Sequence, residues 1–220
     1  MVDEFLSERE QAEQLRNWLR ENWIWLVAGV ALTIGGYYGW RAWQAHESSR
    51  AVEAGQLLTS MLEAIGGDRR DEGLRLAGQL TGEYADTPYA DHATLVLARL
   101  DVDAGDLAAA ERRLAGVADR SDDPDLRIVA RLRLARVQLA QGRYDDALAS
   151  LDAVATPAAD PRVLELRGDV RHAQGDAAAA VEQWRKARAA TDADPAAGAQ
   201  VDLELLGLKI DEQGPAEAAE

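Results

Sequence analysis

Apolar residues are laid out in two ways along this chain. In NWIWLVAGVALTIGGYYGWRAW, eighteen residues from Trp23 to Trp40 pass without one ionisable group. Beyond residue 44, apolar positions recur three and four apart among Ala, Leu, Arg and Glu, the period of amphipathic helices. β-Branched alternation of the kind that marks strands is missing, so the pattern predicts an all-α chain: one long uncharged helix, then a helical domain.

At 1.5 Å rise per residue the uncharged run is about 27 Å long, and about 31 Å if it extends to Trp43 with Arg41 snorkelling, against a hydrocarbon core of about 30 Å. A helix buried in a soluble core would not need so long a run. A cleaved signal peptide would start with a short basic segment, whereas mixed-charge residues 1–22 precede this one and GGYYGWRAW offers no convincing cleavage site. Trp23, Trp25, Tyr37, Tyr38, Trp40 and Trp43 concentrate near its two ends, as an aromatic belt would. The expectation is a single transmembrane helix over 23–43. Arg9, Arg16 and Arg20 before it outnumber Arg41 and Arg50 close behind it. That bias favours a cytoplasmic N-terminal segment (1–22) and a domain on the far side, in a bacterial inner membrane the periplasm. Ala31, Gly35 and Gly39, four apart, would give the span a small-residue face for helix packing. The preceding SEREQAEQLRNWLREN carries a narrow apolar stripe of Leu15, Trp18 and Leu19.

Three later segments align on a glycine: LARLDVDAGDLAAAERRLAGV, LARVQLAQGRYDDALASLDAV and LRGDVRHAQGDAAAAVEQWRKA. Gly105, Gly142 and Gly175 lie 37 and 33 residues apart. Seven residues before them stand Ala98, Ala135 and Gly168; five after, Ala110, Ala147 and Ala180; nine after, Leu114, Leu151 and Trp184. Glycine ends a helix at low conformational cost, small residues let two antiparallel helices approach, and large ones fill the space beside them. This helix–turn–helix unit resembles the tetratricopeptide repeat, whose stacked pairs form a solenoid. Pro124, Pro157 and Pro161 sit between units, and Pro195 follows the last. ESSRAVEAGQLLTSMLEAIGG and DEGLRLAGQLTGEYADTPYA read as a further degenerate pair, with no helix breaker between it and the uncharged run. AAGAQVDLELLGLKIDEQ reads as a terminal helix that covers the last repeat. The predicted repeat domain is 44–212, with 213–220 a disordered tail.

Charge narrows the function. The net charge of −15 divides as −3 before Trp23, +1 from Arg41 and −13 after Trp43. So acidic a surface repels phosphate backbones, and no nucleic-acid partner is expected. Without cysteine there are no disulfides or thiolate sites. His46, His92 and His172 form no close ligand pair, and DRSDDPD at 119–125 lacks the glycine and terminal glutamate of a calcium loop. No nucleophile, base and orienting group can be placed by spacing. The expectation is a binding protein without enzyme activity, metal or cofactor.

Tetratricopeptide domains recognise peptides or proteins on the concave face made by their first helices. On that plan the first helices offer Leu95, Arg99 and Val102, then Leu132, Arg136 and Leu139, then Glu165, Asp169 and His172. Leucines would give apolar contact, and Arg99 and Arg136 would pair with carboxylates or backbone carbonyls.

Taken together, EQAEQLRNWLREN, GGYYGWRAWQ, LRLARVQLAQGRYDDALASLD and LRGDVRHAQGDAAAAVEQWRKA resemble the YfgM family, ancillary subunits of the SecYEG translocon, over roughly residues 10–212. The resemblance implies a single-span inner-membrane protein with a periplasmic tetratricopeptide-like domain. It implies association with SecYEG and with the membrane-anchored periplasmic chaperone PpiD, and a role in passing exported client proteins to periplasmic chaperones. A tie to an envelope stress response is also implied. A membrane-tethered repeat scaffold for cell division, envelope assembly or stress signalling is the alternative.

Overall fold

The computed structural model describes residues 8–156, 159–196 and 198–213, and the described residues are helical with no strand. The helices are α1 (Glu8–Gly66), α2 (Arg70–Glu83), α3 (Pro88–Asp103), α4 (Leu107–Arg120), α5 (Pro124–Ala140), α6 (Tyr144–Asp152), α7 (Pro161–Ala173), α8 (Ala177–Ala193) and α9 (Leu203–Gln213). Two compact units divide the chain, Met1–Glu53 and Ala54–Glu220. Pro157 and the tail from residue 214 lie outside the described residues.

The first unit corrects the expectation of a transmembrane helix over 23–43. Among the described residues no helix is long and apolar enough to cross a membrane. The physical reason is that an uncharged run is not the same as an apolar one. Ile24, Leu26, Val27, Val30, Leu32 and Ile34 are diluted by Trp23, Trp25, Gly29, Thr33, Gly35, Gly36, Tyr37, Tyr38, Gly39 and Trp40. Glycine offers almost no apolar surface, and indole and phenol groups carry polar handles that favour an interface over hydrocarbon. Thr33 spends its hydroxyl inside the helix, donating to the Gly29 carbonyl at 2.8 Å. Ala31, Gly35 and Gly39 are exposed, and an added Cβ at Gly35 or Gly39 would meet no heavy atom within 4 Å.

In the second unit the predicted repeats are helix pairs α3/α4, α5/α6 and α7/α8. At each turn the glycine has positive φ, +80° at Gly105, +74° at Gly142 and +86° at Gly175. The amides beyond them close the helix end: Asp106 N–H donates to Asp101 O at 2.9 Å, Arg143 to Gln138 at 2.9 Å and Asp176 to Arg171 at 3.0 Å. With Gly105 N–H donating to Val102 O at 2.9 Å, this is the Schellman arrangement that satisfies the last carbonyls. Asp106 and Asp176 then cap the next helix through Ala109 N–H (2.8 Å) and Ala179 N–H (3.0 Å). Pro124 and Pro161 occupy the first helical position of α5 and α7, where a missing N–H costs nothing, behind the capping carboxylates of Asp123 and Asp160.

The small and large positions read from the repeats all enter the core. Ala98, Ala110, Ala135, Ala147 and Ala180 are buried, as are Leu114, Leu151 and Trp184. The core is not one mass but four clusters in series. One joins α1 residues Ala54, Met61 and Ala64 to α2 and α3; others join α3, α4 and α5, then α5, α6 and α7. The last, around Trp184, brings in Leu206 and Ile210 of α9. Each cluster is shared by neighbouring pairs, which is how a solenoid distributes its stability.

Candidate functional site

The structure separates the residues expected to form a groove. Leu95, Arg99 and Val102 of α3 and Arg136 of α5 line one cleft of about 460 Å³, together with Val96, Leu107, Leu114, Arg133 and Val137. That volume lies within the range of roughly 300–1,000 Å³ usual for ligand clefts. Its walls are aliphatic and its rim is guanidinium. Leu132, by contrast, is buried in the cluster shared by α5, α6 and α7, and Leu139 packs against that cluster. Both serve the core and not the cleft.

The third repeat is closed by its own C-terminal helix. Lys209 of α9 donates to Glu165 Oε1 at 2.9 Å and Asp169 Oδ1 at 2.8 Å. Trp184 Nε1 donates to Asp169 Oδ1 at 3.0 Å and to the Glu165 carbonyl at 3.2 Å. The ammonium also stands 5.8 Å from the Trp184 ring centroid, within cation–π range. Burial would lower the Lys209 pKa, but hydrogen bonds and charge from Asp169 and then Glu165 outweigh it, so the group stays protonated above the ordinary lysine range. His172 is exposed, its ring 5.8 Å from that of Trp184. Glu165 and Asp169 therefore hold the terminal helix and do not face a free groove.

Sequence spacing missed Arg133. It sits three residues before Arg136, so the two share a helix face. The signal is present in RLRLARVQ, but Arg133 lies off the first-helix pattern common to all three repeats. Partial desolvation first, then the guanidiniums of Arg136 and Arg99, hold the pKa of the largely exposed Arg133 below its usual value. Arg99 donates through Nε to Asp103 at 2.9 Å. Neither Arg133 nor Arg136 has a carboxylate partner among the described residues.

A larger recess of about 1,080 Å³ lies near α2, α3 and α4. It mixes Arg112, Arg113 and Arg120 with Asp86, Asp91, Asp122 and Asp123. Several of these charges are already used: Arg113 donates to Asp101 at 2.7 Å, Ser121 Oγ donates to Asp91 at 2.6 Å, and Asp123 caps α5. Within the acidic stretch 119–125, Asp123 is thus a helix cap and Asp119 pairs with Arg131. Among the described residues no three His, Cys, Asp or Glu side chains converge as a metal site requires.

Residues 16–212 match the family model described as a tetratricopeptide repeat-like domain. The chain is 32% identical over 205 residues to an ancillary SecYEG translocon subunit of Escherichia coli, spanning 93% of this chain and 98% of that protein. The chain belongs to this family, the YfgM-type ancillary subunits. Proteins of the same name from Haemophilus influenzae and Neisseria gonorrhoeae are each 28% identical over 207 residues, covering 93% and 94% of this chain and 97% of each relative. Within this YfgM-type chain, the cleft between α3 and α5 is an open surface that combines apolar walls with the guanidiniums of Arg133 and Arg136.

Proposed function

We propose that this protein is a non-enzymatic protein-binding scaffold that associates with the SecYEG translocon at the bacterial inner membrane. In this reading its repeat domain, over 44–212, acts on the periplasmic side and helps pass exported proteins to periplasmic chaperones, with PpiD among its partners. The observation that carries it is the family match along nearly the whole chain to proteins named for the translocon. The cleft supplies the means: aliphatic walls for an exposed apolar segment and guanidiniums to orient it. Proximity supplies the rest, because a weak site held beside the channel works at high effective concentration.

The test is recovery of SecY with an affinity-tagged version of the full chain from gently solubilised native membranes. Co-recovery at a constant ratio through a second purification step supports the reading. Recovery only with cell-division or outer-membrane assembly proteins contradicts it.

A further inference from the structure

The cleft between α3 and α5 is a positive spot on a strongly negative protein. The chain carries a net charge of −15, yet Arg99, Arg133 and Arg136 converge on one recess. Arg99 is neutralised by Asp103. Arg133 and Arg136 have no carboxylate partner among the described residues, while ion pairs elsewhere in the repeats tie down Arg113, Arg143 and Arg162. Partial desolvation by the cleft walls and then repulsion between like-charged guanidiniums at helical i, i+3 spacing lower the pKa of Arg133, whose side chain is otherwise exposed. A bound anion relieves that repulsion. Directly beside the guanidiniums stand Leu95, Val102, Leu107 and Val137, so an anion alone leaves the rest of the recess unfilled.

We propose that this cleft binds an acidic, aliphatic segment of a partner protein, with one leucine-like side chain against the apolar wall and two Asp or Glu carboxylates on Arg133 and Arg136. The proposal rests on the reading of the domain as a protein-binding scaffold and specifies the chemistry it selects. Two free guanidiniums call for two carboxylates, which an internal acidic segment provides and a single chain terminus does not. A basic segment meets like charge here. A nucleic acid meets apolar walls and, beyond the cleft, the repulsion of the acidic surface. Local attraction set within a repulsive surround favours an acidic peptide in this cleft over the acidic surface around it.

The experiment titrates the purified full chain into a fluorescein-labelled, C-terminally amidated dodecapeptide with one leucine flanked by two glutamates. A second peptide carries glutamine in place of both glutamates. The glutamate peptide is expected to bind, and the glutamine peptide to bind at least roughly tenfold more weakly, since charge-assisted hydrogen bonds are about twice as strong as neutral ones. The R133Q/R136Q double variant changes two exposed side chains and keeps the helical circular dichroism of the parent; it loses the same factor and no longer distinguishes the peptides. Equal binding of the two peptides, or no binding of the glutamate peptide below about 1 mM, overturns the proposal. A photoreactive residue at Leu107 in native membranes separates the two levels of failure. If that position still captures the translocon or a chaperone, the scaffold reading survives and only the acidic chemistry falls.

Discussion

Trp184 fills the space that a side chain on residue 168 would need. A methyl group built on Gly168 would clash with Trp184 Cδ1 and Nε1 and stand 2.9 Å from Cε2. In the two preceding repeats the same positions are Ala98 with Leu114 and Ala135 with Leu151, each pair buried within one core cluster. A larger partner is thus matched by a smaller neighbour. Gly168→Ala is expected to destabilise the domain by about 1–3 kcal/mol through overpacking, measured by urea unfolding. In the Gly168→Ala/Trp184→Leu double variant, which restores the pairing of the other repeats, the two changes should couple favourably by about 1 kcal/mol or more. Strict additivity would show that the indole is not what keeps residue 168 small.

Gly142 at φ +74° makes the middle turn. Gly142→Ala forces a Cβ into the left-handed region and should cost about 1–2 kcal/mol, although no neighbouring atom crowds the site. The loss should appear as a lower urea midpoint with unchanged helical content at low denaturant.

The Lys209 ammonium bridges Glu165 and Asp169, which are themselves largely shielded. Lys209→Met leaves both carboxylates without their partner and should destabilise the C-terminal repeat by about 1–3 kcal/mol. Because the folded-state pKa of Lys209 is raised, its contribution is fully present below the unfolded value of about 10.4 and is lost as pH rises through the folded one. The parent chain should therefore weaken at strongly alkaline pH, and the Lys209→Met chain should lack that part of the decline.

Asp160 gives the opposite limb. Burial would raise its pKa, but the Arg162 guanidinium and the backbone N–H groups of Arg162 and Val163 outweigh it and hold it below the usual carboxylate value. Arg162 Nη2 donates to Asp160 Oδ2 at 2.6 Å. A lowered folded-state pKa contributes stability above the unfolded value of about 3.9 that disappears as pH falls through the folded one. Asp160→Asn keeps a capping oxygen for α7 but removes the titration. Its urea midpoint should be lower than the parent's at pH 7, and the two should converge as pH falls through the lowered folded-state value of Asp160.

The repeat architecture was legible because its constraints are local. A turn glycine, a small residue seven before it and a large one nine after it act within a single helix pair; the glycines make the exposed turns, and the small and large residues are buried in the core. Proline placement was legible for the same reason, as the first residue of α5 and α7. What failed depended on more than spacing. Lack of charge in the Trp23–Trp40 run was read as apolarity, although glycine, tyrosine and tryptophan supply much of its length. Glu165 and Asp169 looked like groove residues because their partner, Lys209, lies forty or more residues away on α9. Leu132 shares its helix with Arg136 but points into a different cluster, a distinction that first-helix pattern alone does not make.

Reversing charge at the cleft should separate binding from folding. Arg99 and Arg136 are exposed, so Arg99→Glu/Arg136→Glu is expected to leave unfolding within about 0.5 kcal/mol of the parent. Partner recovery in a pull-down should fall at least roughly tenfold, the loss of about one charged contact. Unchanged recovery would remove both residues from the binding surface.

On the proposed function, this cleft is where the protein meets its partners at the translocon. The most direct measurement places a photoreactive residue at Val102, inside the cleft, and another at Asp145, an exposed position on α6, and identifies the adducts formed in native membranes. Adducts with SecY, SecE, SecG or a periplasmic chaperone are expected from Val102 and not from Asp145. Equal labelling from both positions, or adducts from Asp145 alone, would contradict it.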